Sequence, residues 1–168
     1  YSLTVPSGGR AEALGGAYTA LSDDSFCIDY NPAASSLLEQ NEIALFHNIW
    51  IAGAAMETAA AAARHGDLGF GGELRFFYVP FYEYGAFGKR SADSLYSEAS
   101  ATFNISYNIL AGYYFKGIAI GANAKVLWRS MPDASGSVVS SVSLSRSALA
   151  LASDAGVMLR FNAGKFFA

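Results

Sequence analysis

Apolar and polar residues alternate along most of this chain, and the clearest run spans Ala99 to Tyr113. Its odd positions (Ala99, Ala101, Phe103, Ile105, Tyr107, Ile109, Ala111 and Tyr113) are all apolar or aromatic. The even ones, from Ser100 through Thr102, Asn104, Ser106 and Asn108 to Gly112, include Leu110 as their one large apolar side chain. A helix turning about 100° per residue would scatter both sets around its axis, so the pattern predicts a strand with one greasy face. The alternation resumes after Lys116-Gly117, read as a tight turn. Ile118, Ile120, Ala122, Ala124, Val126 and Trp128 then oppose Ala119, Gly121, Asn123, Lys125, Leu127 and Arg129. The two segments read as a hairpin.

A further strand is predicted from Leu68 to Val79, where Leu68, Phe70, Leu74, Phe76 and Tyr78 oppose Gly69, Gly71, Glu73 and Arg75. Another lies near Ala152 to Phe161, with Ala155, Val157, Leu159 and Phe161 against Asp154, Gly156, Met158 and Arg160. Two weaker segments precede these, at 42–50 and 53–64. The second is rich in alanine, the best helix former. It is read as a strand because its neighbours on both sides are strands, with a helix as the alternative. Short connections at His65-Gly66-Asp67, Lys116-Gly117 and Asn162–Lys165 alternate with long ones at Pro80–Ser94 and Met131–Ser147, as in outer-membrane barrels. The run Tyr96–Phe115, at about 20 residues, is roughly twice the ~9–11 that a tilted spanning strand needs, so it is expected to project beyond the bilayer.

Residues 1–41 show no alternation. Ser7-Gly8-Gly9, Gly15-Gly16, Asp23-Asp24 and Asn31-Pro32 punctuate them. Arg10 to Leu21 predicts a short helix. Ser35 to Gln40 predicts one helical turn, capped by Asn31 with Pro32 at the first helical position.

Composition sharpens this picture. Hydrophobic residues make up 52% and charged residues only 15%, yet no window holds the ~18 unbroken apolar residues of a membrane helix. The polar set of the strands is mostly Ser, Asn, Thr and Gly, with isolated charges at Glu73, Arg75, Lys125 and Arg129. A soluble sandwich would instead show water a face rich in Lys, Glu, Asp and Arg. Small neutral polar groups suit an enclosed, partly hydrated lumen. The aromatics Tyr107, Tyr113, Tyr114 and Phe115 cluster at the short-turn end, as in an interfacial girdle. The fold class is therefore read as all-β, an antiparallel transmembrane β-barrel with residues 1–41 as an N-terminal plug or hatch and 42–168 as barrel strands. An apolar-cored soluble sandwich or lipocalin-like barrel is the alternative.

Six strands are too few for a single-chain barrel, which starts at ~8, and Lys165-Phe166-Phe167-Ala168 reads as the opening of another. The strands are therefore expected to be the front part of a larger barrel. The chain opens at Tyr1 with a polar, glycine-containing segment instead of a signal peptide, which favours a processed or trimmed chain.

The net charge of −3 points to no nucleic-acid partner. Candidate chemistry is sparse. No GxSxG, P-loop or HExxH occurs, and no catalytic residue, metal site or cofactor is expected. His47 and His65 stand apart from any Cys or carboxylate pattern. Asp23-Asp24 reads as a turn or cap, Cys27 as a small packed residue, and Gly69-x-Gly71-Gly72 fails the dinucleotide fingerprint and sits inside a strand.

The segment Gly9-Arg10-Ala11-Glu12-Ala13-Leu14-Gly15-Gly16-Ala17-Tyr18-Thr19-Ala20-Leu21-Ser22-Asp23-Asp24, followed by Asn31-Pro32-Ala33-Ala34-Ser35, resembles the opening of FadL-type outer-membrane proteins. Val79-Pro80-Phe81 and Tyr113-Tyr114-Phe115-Lys116-Gly117 are similar to a spirochaetal, treponemal branch. The resemblance implies an outer-membrane protein whose hatch plugs the lumen, with long-chain fatty acids or similar hydrophobic compounds bound above it and released sideways into lipid. A related branch serves protein secretion, so a non-transporting barrel subunit of a secretion or assembly system is the second reading, and a soluble lipid-binding β-protein the third. Glycine marks places where strands bend, which sets the expected gate at Gly69, Gly71 and Gly72, facing Asn31, Pro32 and Ala33. The alternative is that these glycines make room for neighbouring aromatics. Phe77 and the loop aromatics Phe81, Tyr82, Tyr84 and Phe87 are expected to line the pocket, with Arg75 or Arg129 as partners for a ligand carboxylate, the alternative being that these charges belong to a structural network.

Overall fold

A computed structural model describes residues 2–84, 87–110, 115–131 and 147–161. Six antiparallel strands form one sheet, each paired with its sequence neighbour: β1 (Glu42–Ile49), β2 (Ala55–His65), β3 (Leu68–Tyr84), β4 (Arg90–Leu110), β5 (Phe115–Ser130) and β6 (Ser147–Phe161). Among the described residues the sheet is open, with β1 and β6 as its edges. Alanine-rich β2 is a strand throughout, paired with β3 along its length and with β1 over Ala55–Ala62. Propensity loses here to ladder bonds on both sides.

Two strand ends differ from expectation. The long connection predicted at Pro80–Ser94 is mostly strand: β3 runs on to Tyr84, with Pro80 opposite Leu95 and Phe81 opposite Ser94. Proline is tolerated because β2 ends opposite Tyr78. Beyond that point β3 has a neighbour on one side only, an edge position of the kind to which proline in sheets is confined. Likewise Lys116-Gly117 is not the turn but lies inside β5, next to a register shift between Phe115 and Gly117. The Tyr113-Tyr114 part of the expected girdle, the loop after Met131, the turn at Asn162–Lys165 and the strand expected from Lys165 lie outside the described residues.

The faces are inverted relative to a soluble sheet. On β4, Asn104 and Ser106 are buried (6% and 3% exposed) while Phe103 and Ile105 are 65% and 54% exposed. The same holds on β3, where Glu73 and Arg75 are buried and Leu74 is exposed. What covers the polar face is the N-terminal segment, held in α1 (Gly9–Ala13), α2 (Cys27–Tyr30) and a 3-10 turn at Ala34–Leu37. The predicted helix over Arg10–Leu21 shrinks to α1, ended by Gly15 and Gly16 at positive φ. The second helical turn is Ala34–Leu37, and Asn31 does not cap it end-on; its Oδ1 accepts the Ala33 N–H at 3.1 Å, a local Asx turn. Cys27, Ile28, Leu37 and Leu38 pack on Ala62, Ala119 and Met158 of the wall. Val5 packs with Ala54, Met56 and Phe77 nearer the other end. No helix among the described residues is long and apolar enough to cross a membrane.

Candidate functional site

The pleat places every second strand residue on the covered face, so strand register decides which of them meet the plug. One transverse row reads Gly69, Ser106, Gly121 and Gly156 across β3 to β6. A Cβ on Gly69 would stand 2.2 Å from the Ser36 nitrogen, one on Gly121 2.2 Å from the Pro32 oxygen, and one on Gly156 2.4 Å from Asn31 Oδ1. The row is thus a trough in which the backbone of residues 31–36 lies against the wall. Polar groups fasten it there. The Ser35 hydroxyl reaches Asn104 Oδ1 at 2.5 Å and Ser106 Oγ at 2.6 Å. Asn104 Nδ2 donates to the Pro32 carbonyl at 2.9 Å, and Asn31 Nδ2 to that of Val157 at 3.2 Å.

The next rows carry charge. Glu73, Thr102 and Lys125 stand side by side, and Arg75 follows one inward step along β3. Asp29 of α2 enters this patch from the plug. Its Oδ2 lies 2.6 Å from Arg75 Nη2 and its Oδ1 3.5 Å from Lys125 Nζ. Arg75 also meets Glu73 at 2.8 Å and donates to the Val5 carbonyl, while Lys125 meets Asp154 at 2.7 Å. Asn123 donates to the Ile28 carbonyl at 2.8 Å. The result is a chain of alternating charges, Glu73–Arg75–Asp29–Lys125–Asp154, that couples plug to wall. Buried charges persist only when paired and hydrogen-bonded, and here one plug carboxylate joins both wall cations.

Asp29 was missed from the sequence, although a signal existed. Cations on a covered face need counter-charges, and Asp29 is an acid flanked by Phe26, Cys27, Ile28 and Tyr30. Asp23 and Asp24 act locally, as expected: Asp23 accepts from the Tyr18 hydroxyl and pairs with Arg10 at 2.8 Å, and Asp24 accepts the Phe26 N–H. Burial raises the Tyr18 phenol above its ordinary range and pushes Tyr30 up to about 12. It also pushes the Cys27 thiol up to about 12, with the Asp24 charge adding to the effect. Cys27 is fully buried, and thiolate is the reactive form. Iodoacetamide at pH 8 is therefore expected to leave Cys27 unmodified in the folded protein and to alkylate it fully in denaturant, as read by intact mass.

The residues expected to line a ligand pocket are dispersed. Phe77 is packed under Val5. Phe81 shares its parity, but Tyr82 and Tyr84 fall on the opposite face or beyond it, because consecutive strand residues point oppositely. Phe87 is fully exposed, and Tyr82 carries the Arg90 guanidinium over its ring at 3.9 Å. Arg75 is occupied by Asp29 and Glu73 and is not open to a ligand. Arg129 does border a recess, of about 260 Å³, together with Leu3, Glu98, Leu127, Ala148 and Ala150. Glu98 is its direct cross-strand neighbour, so the recess offers both signs of charge.

Gly69, Gly71 and Gly72, the expected gate, lie in the paired body of β3. Across 68–74, β3 pairs with β2 and β4 without a register shift. Gly69 and Gly71 instead admit the plug, a Cβ on Gly71 falling 2.7 Å from Ile28 Cγ2. Asn31, Pro32 and Ala33 face Gly121 and Gly156 instead, on β5 and β6 of the same covered face.

Residues 1–168 match the profile of an uncharacterised protein family, UPF0164, and the chain belongs to that family. A UPF0164 protein of Treponema pallidum (strain Nichols) is 34% identical over 133 residues, 74% of this chain and 31% of that protein. Another from the same organism is 29% identical over 169 residues, 99% of this chain and 47% of its own length. The chain thus spans less than half of either relative. No solved structure matches it. The resemblance to FadL-type proteins is corrected by these matches: the family is UPF0164, and none of them points to FadL.

Proposed function

We propose that this UPF0164 chain is the front of an outer-membrane β-barrel that passes hydrophobic compounds, long-chain fatty acids among them, around a plug seated in its lumen. The observation that carries the reading is the inversion of the sheet, with Ser, Asn and ion pairs enclosed and Leu, Ile, Phe and Trp outward. In water such a sheet would expose its greasy side at a cost of ~25 cal/mol per Å²; in lipid that side is the favourable one.

The height of the band agrees. Outward apolar residues run along β4 from Ile109 to Ala99, a rise of ~33 Å at ~3.3 Å per residue, or ~25 Å at a ~40° tilt, the height of an outer-membrane apolar band. Above it the outward row is Tyr78, Ser97, Ser130 and Ser147 on β3 to β6, and Ile49 and Ala55 on β1 and β2. Lipid also demands that the β1 and β6 edges be paired. Further strands, of the kind for which the longer relatives have room, would meet that demand. Arg129, at the recess above the plug, is the one candidate ligand partner that the fold leaves beside an open space.

The test is reconstitution. In vesicles of brominated phosphatidylcholine, the Trp50→Phe variant is expected to lose most of its fluorescence, because outward-facing Trp128 would lie against the acyl chains. Protein extracted from such vesicles after loading with palmitate is expected to retain it. A full-length protein that stays soluble without detergent, with unquenched Trp128, overturns the membrane reading. A quenched chain that never retains palmitate leaves the barrel but removes hydrophobic transport.

A further inference from the structure

Strand β2 is unusual in its outward face. Glu57 is followed by Ala59, Ala61 and Ala63, while the flanking strands raise Leu45 and Ile43 on one side and Leu74 and Phe70 on the other. Small residues between large ones make a valley along the strand. Two open grooves border it, one of about 660 Å³ that takes in Leu45, Ala59 and Leu74 and continues across the sheet to Val126 and Trp128, the other of about 620 Å³ with Ile43, Ala61 and Phe70. From Glu57 to Ala63 the valley runs ~20 Å at ~3.3 Å per residue.

Its upper end is charged. His47 and Glu57 are direct cross-strand neighbours, joined by His47 Nδ1 to Glu57 Oε1 at 2.6 Å, and both side chains are about half exposed. They stand level with Phe76 and Trp128 and one outward step below a row that is Ile49 and Ala55 on their own strands and Tyr78, Ser97 and Ser130 on the next three. A charged pair on an otherwise apolar outward face is costly in lipid unless it sits at the interface and meets polar groups there. The pair presents an acceptor and a ring nitrogen side by side, which complements a headgroup carrying both an ammonium and a phosphate.

We propose that the β2 valley holds one zwitterionic phospholipid, its acyl chain along Ala59, Ala61 and Ala63 and its headgroup on His47 and Glu57. This rests on the reading that the outward face meets lipid. The alanines then have a reason that strand propensity does not supply: any larger side chain would fill the seat.

The experiment is native mass spectrometry of the protein extracted into mild detergent from vesicles of dioleoyl-phosphatidylcholine, and separately of dioleoyl-phosphatidylglycerol. The parent is expected to retain one phosphatidylcholine and little phosphatidylglycerol. Ala61→Leu and Glu57→Gln are each expected to lower phosphatidylcholine retention roughly fivefold, the worth of about one interfacial contact. Both substitutions are outward, and heat-modifiable gel migration reports whether each variant folds. Equal retention of phosphatidylcholine by the parent and the folded variants overturns the lipid seat, as does equal retention of both lipids by the parent. Failure of the parent to insert into either vesicle overturns the underlying membrane reading instead.

Discussion

Replacing Arg75 with methionine is expected to destabilise the folded protein by about 3–5 kcal/mol, the usual cost of leaving buried charges without their partner. Methionine keeps much of the length and none of the charge. Asp29 and Glu73 would then face each other across the emptied site, with Lys125, 3.5 Å from Asp29, as the nearest remaining cation. The Arg75 side chain is 1% exposed and that of Glu73 2%, so water screens little of the loss. The measurement is the urea midpoint in detergent, alongside trypsin cleavage at Arg10 to report plug release. The double variant Asp29→Asn with Arg75→Met is expected to recover part of the loss, because one of the stranded carboxylates is gone. A single variant within about 0.5 kcal/mol of the parent, as for an ordinary surface change, would show that the charge chain does not hold the plug.

The second large effect is expected at the glycine trough. Gly121→Val sets a Cβ 2.2 Å from the Pro32 carbonyl oxygen and 2.7 Å from Ala33 Cα, both backbone atoms that no rotamer change relieves. Overpacking of this kind costs about 1–3 kcal/mol, and the cheaper response is for residues 31–36 to lift off the wall. The variant is therefore expected to raise ion leak in planar bilayers above that of the parent. The converse clamp uses Ser35→Cys with Ser106→Cys in a Cys27→Ser background, since the two hydroxyl oxygens are 2.6 Å apart. Oxidation of that pair is expected to suppress palmitate uptake and reduction to restore it. Uptake indifferent to the cross-link would mean that the plug stays seated during transport; no uptake in either state favours a barrel that serves assembly rather than transport.

These two sites differ in how far the chain announces them. The alternation at Ala99–Tyr113 and Leu68–Val79 gave both strands and their two faces, because side-chain direction in a pleat depends on nothing beyond the next residue. The chemistry of the polar set, Ser and Asn instead of Lys and Glu, pointed to an enclosed face before any contact was known. Strand ends were less legible. Pro80 reads as a breaker until β2 is seen to stop short of it, and Lys116-Gly117 reads as a turn until β5 is seen to include it.

The candidate site lay further out of reach. Arg75 and Arg129 are equivalent in the sequence, each a lone cation on a polar face, yet one is closed off by Asp29 and the other borders a recess. Gly69, Gly71, Gly121 and Gly156 are visible as glycines, but what approaches them is not: the partners of the last two lie in residues 31–33. Hydrophobic periodicity, local by nature, settled that this is a β protein whose strands have two unlike faces and whose N-terminal segment is separate. Register and the course of the plug, which join residues as distant as Asn31 and Val157, 126 positions apart, decided which charges pair and which glycines carry backbone. Those pairings exist only once the sheet has formed, so no stretch of sequence contains them.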